Sequence, residues 1–121
     1  MPKFGDALRG YAHSVLQRDR FRCRYCGLDD SASFANWLAL SWDHLLPKTH
    51  PKRDDQEFIV AACNFCNTAD NRYLERLVAG GFDFDKCSPD ELVEHRRVSV
   101  QCTRAAYYEF WETHVRSTRR A

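Results

Sequence analysis

Two tight cysteine pairs, Cys23-Arg-Tyr-Cys26 and Cys63-Asn-Phe-Cys66, constrain this chain more than any other feature. Two residues inside each pair let two thiolates grip one tetrahedral ion, and 36 residues separate the pairs. That spacing predicts a four-cysteine structural zinc site, with disulfides or buried free thiols as the competing reading. The sequence has no apolar run long enough to cross a bilayer, and Met1 to Asp6 lack the apolar stretch of a secretory signal. A cytoplasmic chain with no membrane association is therefore expected, and reducing conditions favour zinc over disulfides. A length of 121 residues suits a single domain with a modest core that a metal staple would reinforce. Cys87 and Cys102 stand outside the pairs and are read as ordinary half-buried thiols.

The formal charge of +1 gives no bulk electrostatic sign of a polyanionic partner. The distribution says more. Arg18, Arg20, Arg22 and Arg24 alternate through the approach to the first pair, Lys48, Lys52 and Arg53 crowd the middle, and Arg116, Arg119 and Arg120 end the chain. Of 18 basic residues, 14 are arginine, whose planar fork suits bidentate phosphate contacts. Each cluster alone is more readily a solvated surface, but three in one small domain can form a local positive face.

The pattern predicts an α+β fold. Leu8, Tyr11, Ala12, Val15 and Leu16 recur at helical spacing and predict a helix from Asp6 to about Arg18. Gly27 provides a turn after the first pair. Phe34 to Leu46, with Leu38, Leu40 and Trp42 alternating, predicts a strand or hairpin. A polar, proline-containing loop spans Pro47 to Gln56, and Phe58 to Ala62 reads as a second strand. A helix follows from Asn64 until Gly80-Gly81. Ser88, Pro89 and Glu91 form a capping box for a long C-terminal helix. Its apolar stripe is Val100, Ala106, Tyr107, Phe110, Trp111 and His114, and the β-branched stretch at Val98 and Val100 is a candidate interruption.

This order resembles the HNH endonucleases, with their zinc-stapled ββα-metal core. The resemblance rests on three segments: Arg18-Asp19-Arg20-Phe21-Arg22-Cys23-Arg24-Tyr25-Cys26-Gly27, Trp42-Asp43-His44-Leu45-Leu46-Pro47 and Ala62-Cys63-Asn64-Phe65-Cys66-Asn67. They run from about Arg18 to Asn71, within a core expected over about 18–79 and before a helical extension over about 88–118. The resemblance implies a metal-dependent nuclease that hydrolyses DNA phosphodiesters. His44 is its general base, while Asp43 and Asn67 hold the catalytic divalent cation, with Asn71 as a further ligand. The chemistry fits these residue types. Asp43 is a hard oxygen donor suited to Mg²⁺ or another divalent ion, and a neutral imidazole accepts a proton from water. On a regular strand Asp43 and His44 face opposite ways, so they meet only if the strand ends or bends there. Zinc at Cys23, Cys26, Cys63 and Cys66 would orient the site without joining the reaction. Phosphate contacts are expected from Arg20, Arg22, Arg24, Lys48, Lys52 and Arg53.

The chain departs from the family pattern at two positions. The central Asn belongs 14 residues after His44 and nine before Asn67, where Phe58 stands. Asp54, Asp55 or Gln56 is a candidate substitute from a shifted loop. A lysine usually found three residues after the final Asn is replaced by Asp70, itself a candidate metal ligand. The alternative function is a catalytically impaired zinc module that binds DNA or a protein partner. A third reading is a nuclease fragment that works with a separate specificity partner, and the C-terminal stripe could instead pair two copies. His50 is read as a loop residue, and His13, His95 and His114 as structural. Trp37, Trp42 and Trp111 are read as core.

Overall fold

The computed structural model describes residues 13–120. Leu8, Tyr11 and Ala12, on which part of the N-terminal helix prediction rests, lie outside them. The described part of that helix, α1 (His13–Arg18), buries Val15 and Leu16. The chain then turns through Arg20 and Phe21, both left-handed at φ 58° and 56°. Such backbone is unusual for residues with a Cβ. It is held by two hydrogen bonds, Phe21 N–H to Leu16 O at 2.9 Å and Asp30 N–H to Phe21 O at 2.8 Å. Gly27, at φ 77°, makes the expected tight turn out of the first cysteine pair.

The first part of the predicted strand is a helix instead. In α2 (Phe34–Leu38), the Ser33 hydroxyl accepts a hydrogen bond from Asn36 N–H at 3.0 Å. That cap outweighs the β preference of the aromatics it precedes. Only β1 (Leu40–His44) is extended. It pairs antiparallel with β2 (Ile59–Cys63), from Leu40 opposite Cys63 to His44 opposite Ile59. All of β2 is buried, which matches its uninterrupted apolar composition. Helix α3 (Asn64–Thr68) starts directly after Cys63, and α4 (Tyr73–Ala79) ends at Gly80. The architecture is thus a two-stranded sheet among helices, an α+β arrangement.

Helix α5 (Pro89–Phe110) opens with the predicted capping box and runs unbroken through Val98 and Val100. Its predicted stripe is mostly wrong. The buried face is Leu92, Val93, Arg96 and Val100, whereas Tyr107 and Phe110 are 62% and 61% exposed and Trp111 is exposed as well. The reason is length: 22 residues extend about 33 Å, further than the core reaches. Beyond Val100 the helix still meets the body where Gln101 Nε2 donates to the Tyr25 carbonyl at 2.9 Å and where Tyr107 packs edge-to-face on Phe65 at 4.9 Å. Trp111 is therefore not core, while Trp37 and Trp42 are half-buried. The helix passes into a π-helical segment at Trp111–Arg116. No helix of the described residues is long and apolar enough to cross a membrane.

Candidate metal centre and adjoining pocket

The main core cluster contains Cys23, Cys63 and Cys66 together with Tyr25, Leu45, Val60, Leu92 and Val100, with Cys26 packed at its edge. Local backbone places the four thiols. Gly27 N–H donates to Cys23 O at 2.9 Å, closing the first turn, and Cys63 is the residue from which α3 springs. All four Sγ atoms lie within 4.8 Å of one another, so the cluster can hold a metal ion such as zinc. The thiols are free of disulfides, as expected. Their ionisation is in conflict without a cation. Hydrogen bonding from Cys26 and its neighbours drives Cys23 down, while the same crowding against Cys23 drives Cys66 up. A divalent ion removes that conflict by accepting four thiolates at once.

Beside this cluster is a pocket of about 120 Å³ whose lining includes Asp43, His44, Asn67, Asn71, Tyr25 and Arg96. The strand-end condition is met: β1 stops at His44, and Asp43 and His44 both reach the pocket. Asp43 is held by Tyr25, whose hydroxyl donates to Oδ2 at 2.6 Å. Burial pushes the Asp43 carboxyl up, opposed by the Tyr25 hydrogen bond and the charge of Arg96. Asn67 donates through Nδ2 to Ser41 Oγ at 3.0 Å and to the Trp42 carbonyl at 3.1 Å. A carbonyl can only accept, so these bonds fix the amide orientation and leave Asn67 Oδ1 as a free acceptor. Burial pushes His44 below the usual imidazole value, which keeps the ring neutral near pH 7. Its Nε2 stands 3.5 Å from Asp54 Oδ1.

No family model, curated protein or solved structure matches this chain.

The departures singled out in the sequence resolve into specific contacts. The Phe58 side chain packs against the core, and its carbonyl accepts from Leu45 N–H at 2.9 Å. It therefore braces the segment after His44 through backbone rather than through an amide. Of the three candidate substitutes, Asp54 approaches His44, whereas Gln56 Oε1 accepts from Ser14 and Asp55 leads into a single 3₁₀ turn. Asp70 lines the pocket but is clamped by Arg76, with Nη1 to Oδ1 at 2.9 Å, and accepts from Ser99 as well. Asn71 lines the pocket at its exposed edge. His50 is a loop brace: its Nε2 meets Asp85 at 2.8 Å while Nδ1 accepts from Lys52 N–H.

The basic residues separate into two groups. Arg22 pairs with Asp29, Arg24 bridges Asp19 and Asp90, and Arg53 lies 3.4 Å from Asp54. Arg20, Lys48 and Lys52 are exposed. Arg18 and Asp19, to which the sequence pattern assigns no site role, tie the knuckle to the sheet. Arg18 donates to the Gln56 and Ile59 carbonyls, and Asp19 accepts from Ala61 N–H at 2.8 Å. Tyr25 and Arg96 line the pocket although the sequence pattern assigns neither a site role. Tyr25 is hidden inside a cysteine pair, and Arg96 falls at the core-facing helical period of Leu92 and Val100, a place where a charge is conspicuous.

Proposed function

We propose that this chain is a metal-dependent endonuclease of the HNH type that hydrolyses DNA phosphodiesters. One observation carries the reading: a hard carboxylate, a neutral histidine and an oriented amide oxygen line one pocket beside a four-cysteine cluster. Asp43 and Asn67 would hold a divalent cation such as Mg²⁺, which when bound would neutralise charge developing on the phosphate and leaving oxygen. The donor chemistry fits, because each residue offers a hard oxygen and Tyr25 occupies only one oxygen of Asp43. His44 accepts a proton from water as the water oxygen bonds to phosphorus and the bond to the departing sugar oxygen breaks. Zinc at the four cysteines would hold Tyr25 and Asn67 in place, since one lies inside the first pair and the other directly follows the second. Arg20, Lys48 and Lys52 offer charge for the DNA backbone, with Arg22, Arg24 and Arg53 available where phosphate displaces their acidic partners.

The test is plasmid cleavage by the zinc-loaded protein with EDTA, Mg²⁺, Mn²⁺ or Ni²⁺, beside His44→Ala. Metal-dependent nicking should fall by about 10²-fold or more in the variant, with zinc content unchanged. A folded, zinc-loaded protein that cuts DNA with none of these ions would instead be the impaired binding module that Phe58 favours.

A further inference from the structure

Arg96 is the sole Lys or Arg among the described residues lining the pocket, and it is only 6% exposed. Its position on α5 puts it in line with Leu92 and Val100, among side chains that exclude water. A guanidinium in that setting normally gathers hydrogen bonds on every nitrogen, because a buried N–H without a partner is costly. Here Nη1 has none. The Tyr73 ring lies 4.5 Å from the guanidinium carbon, a contact that supports the charge from one face but satisfies no N–H. The two carboxylates of the pocket are otherwise engaged: Tyr25 holds Asp43, and Arg76 holds Asp70. A cation is thus built into the pocket wall, with its donor left unmatched by the protein.

We propose that Arg96 is the phosphate receptor of this pocket, donating to a non-bridging oxygen of a phosphodiester bound beside Asp43 and His44. The inference rests on the nuclease reading of the same site and names the group that would grip its substrate. Arginine suits that task because its fork matches two phosphate oxygens, and burial strengthens the interaction by removing competing water. The cation also comes from a different element than the family resemblance implies. The position three residues after Asn67 carries Asp70, and the positive charge enters from α5 instead.

The experiment uses the full zinc-loaded chain without added divalent cation and titrates inorganic phosphate by NMR, following the side-chain Nε resonance of Arg96. Saturable movement of that resonance is expected, and Arg96→Met should weaken phosphate binding by about tenfold or more. Arg96→Lys should recover part of it, because charge returns without the fork. Asp43→Asn should bind phosphate as well or better, since one negative charge leaves the pocket. Unchanged affinity in Arg96→Met would overturn the proposal. If that variant does not fold, an Arg96 resonance indifferent to saturating phosphate in the wild-type protein would overturn it as well. The nuclease reading fails separately: Arg96-dependent phosphate binding with no cleavage under any metal leaves the receptor standing. Cleavage that needs His44 but ignores Arg96→Met does the reverse.

Discussion

The cysteine cluster and the adjoining pocket share a knuckle but are built on opposite plans. The four Sγ atoms crowd within 4.8 Å of one another, and three of the four cysteines are buried. The pocket instead spreads oxygen and nitrogen donors around about 120 Å³ of space, with Asp43 anchored by Tyr25 and Asn67 by Ser41 and the sheet. A closed set of soft donors suits an ion that never leaves; hard donors held apart suit an ion and a substrate that come and go. Tyr25 joins the two, with its backbone in the knuckle and its hydroxyl on Asp43. Rigidity at the first site therefore sets geometry at the second.

Breaking the closed site should have the largest effect. Cys66→Ser is expected to lose bound zinc and the cooperative thermal transition, because structural zinc contributes on the order of 10 kcal/mol in small domains. A variant with full zinc content and an unchanged melting curve would erase the distinction between the two sites. Next comes Asp43→Asn. Burial raises the Asp43 carboxyl in the folded protein, so the ionised form opposes folding at pH values above the ordinary carboxylate range. The substitution should raise stability by about 1 kcal/mol without added divalent ion, and lower metal-stimulated cleavage by about 10²-fold or more. A drop in both quantities would mean that Asp43 is a structural group.

Tyr25→Phe probes the link itself. Loss of the 2.6 Å hydrogen bond should weaken divalent-ion binding by about tenfold and cost about 1–2 kcal/mol, with zinc stoichiometry intact. Isothermal titration with Mn²⁺ and a parallel zinc assay would show whether the two sites are coupled through this hydroxyl. The smallest effect belongs to the pocket rim. The Arg76 guanidinium holds the Asp70 carboxyl down at about 2, so this pair stabilises the fold above pH about 4 and is lost as pH falls toward 2. Asp70→Asn should therefore be less stable than wild type at pH 7 by at most about 1 kcal/mol, the pair being largely solvent-exposed on the Arg76 side, and equal to it near pH 2. Urea melts at the two pH values would measure the difference.

The cysteine cluster was more legible than the scaffold around it. Cysteine spacing is a local code: two residues inside each pair let two thiolates reach one tetrahedral ion. Motif order singles out Asp43, His44 and Asn67, and all three line one pocket. Phe34–Leu38 was misread because alternating aromatics suit a strand, while the Ser33 cap that makes a helix depends on one hydroxyl. The stripe from Ala106 to His114 was misread for another reason. Periodicity shows that a helix has an apolar face, but not whether anything lies against it.

By itself, the amino-acid order determined the two tight cysteine pairs and the capping box at Ser88, because each depends on neighbours a few residues apart. Tertiary structure alone decided that Tyr25 holds Asp43, that Asp54 rather than Asp55 or Gln56 approaches His44, and that Arg96 arrives from a helix 52 residues beyond His44. These are meetings between segments far apart in the chain. Where a side chain ends, and whether its charge finds a partner, is fixed only when the core closes around it.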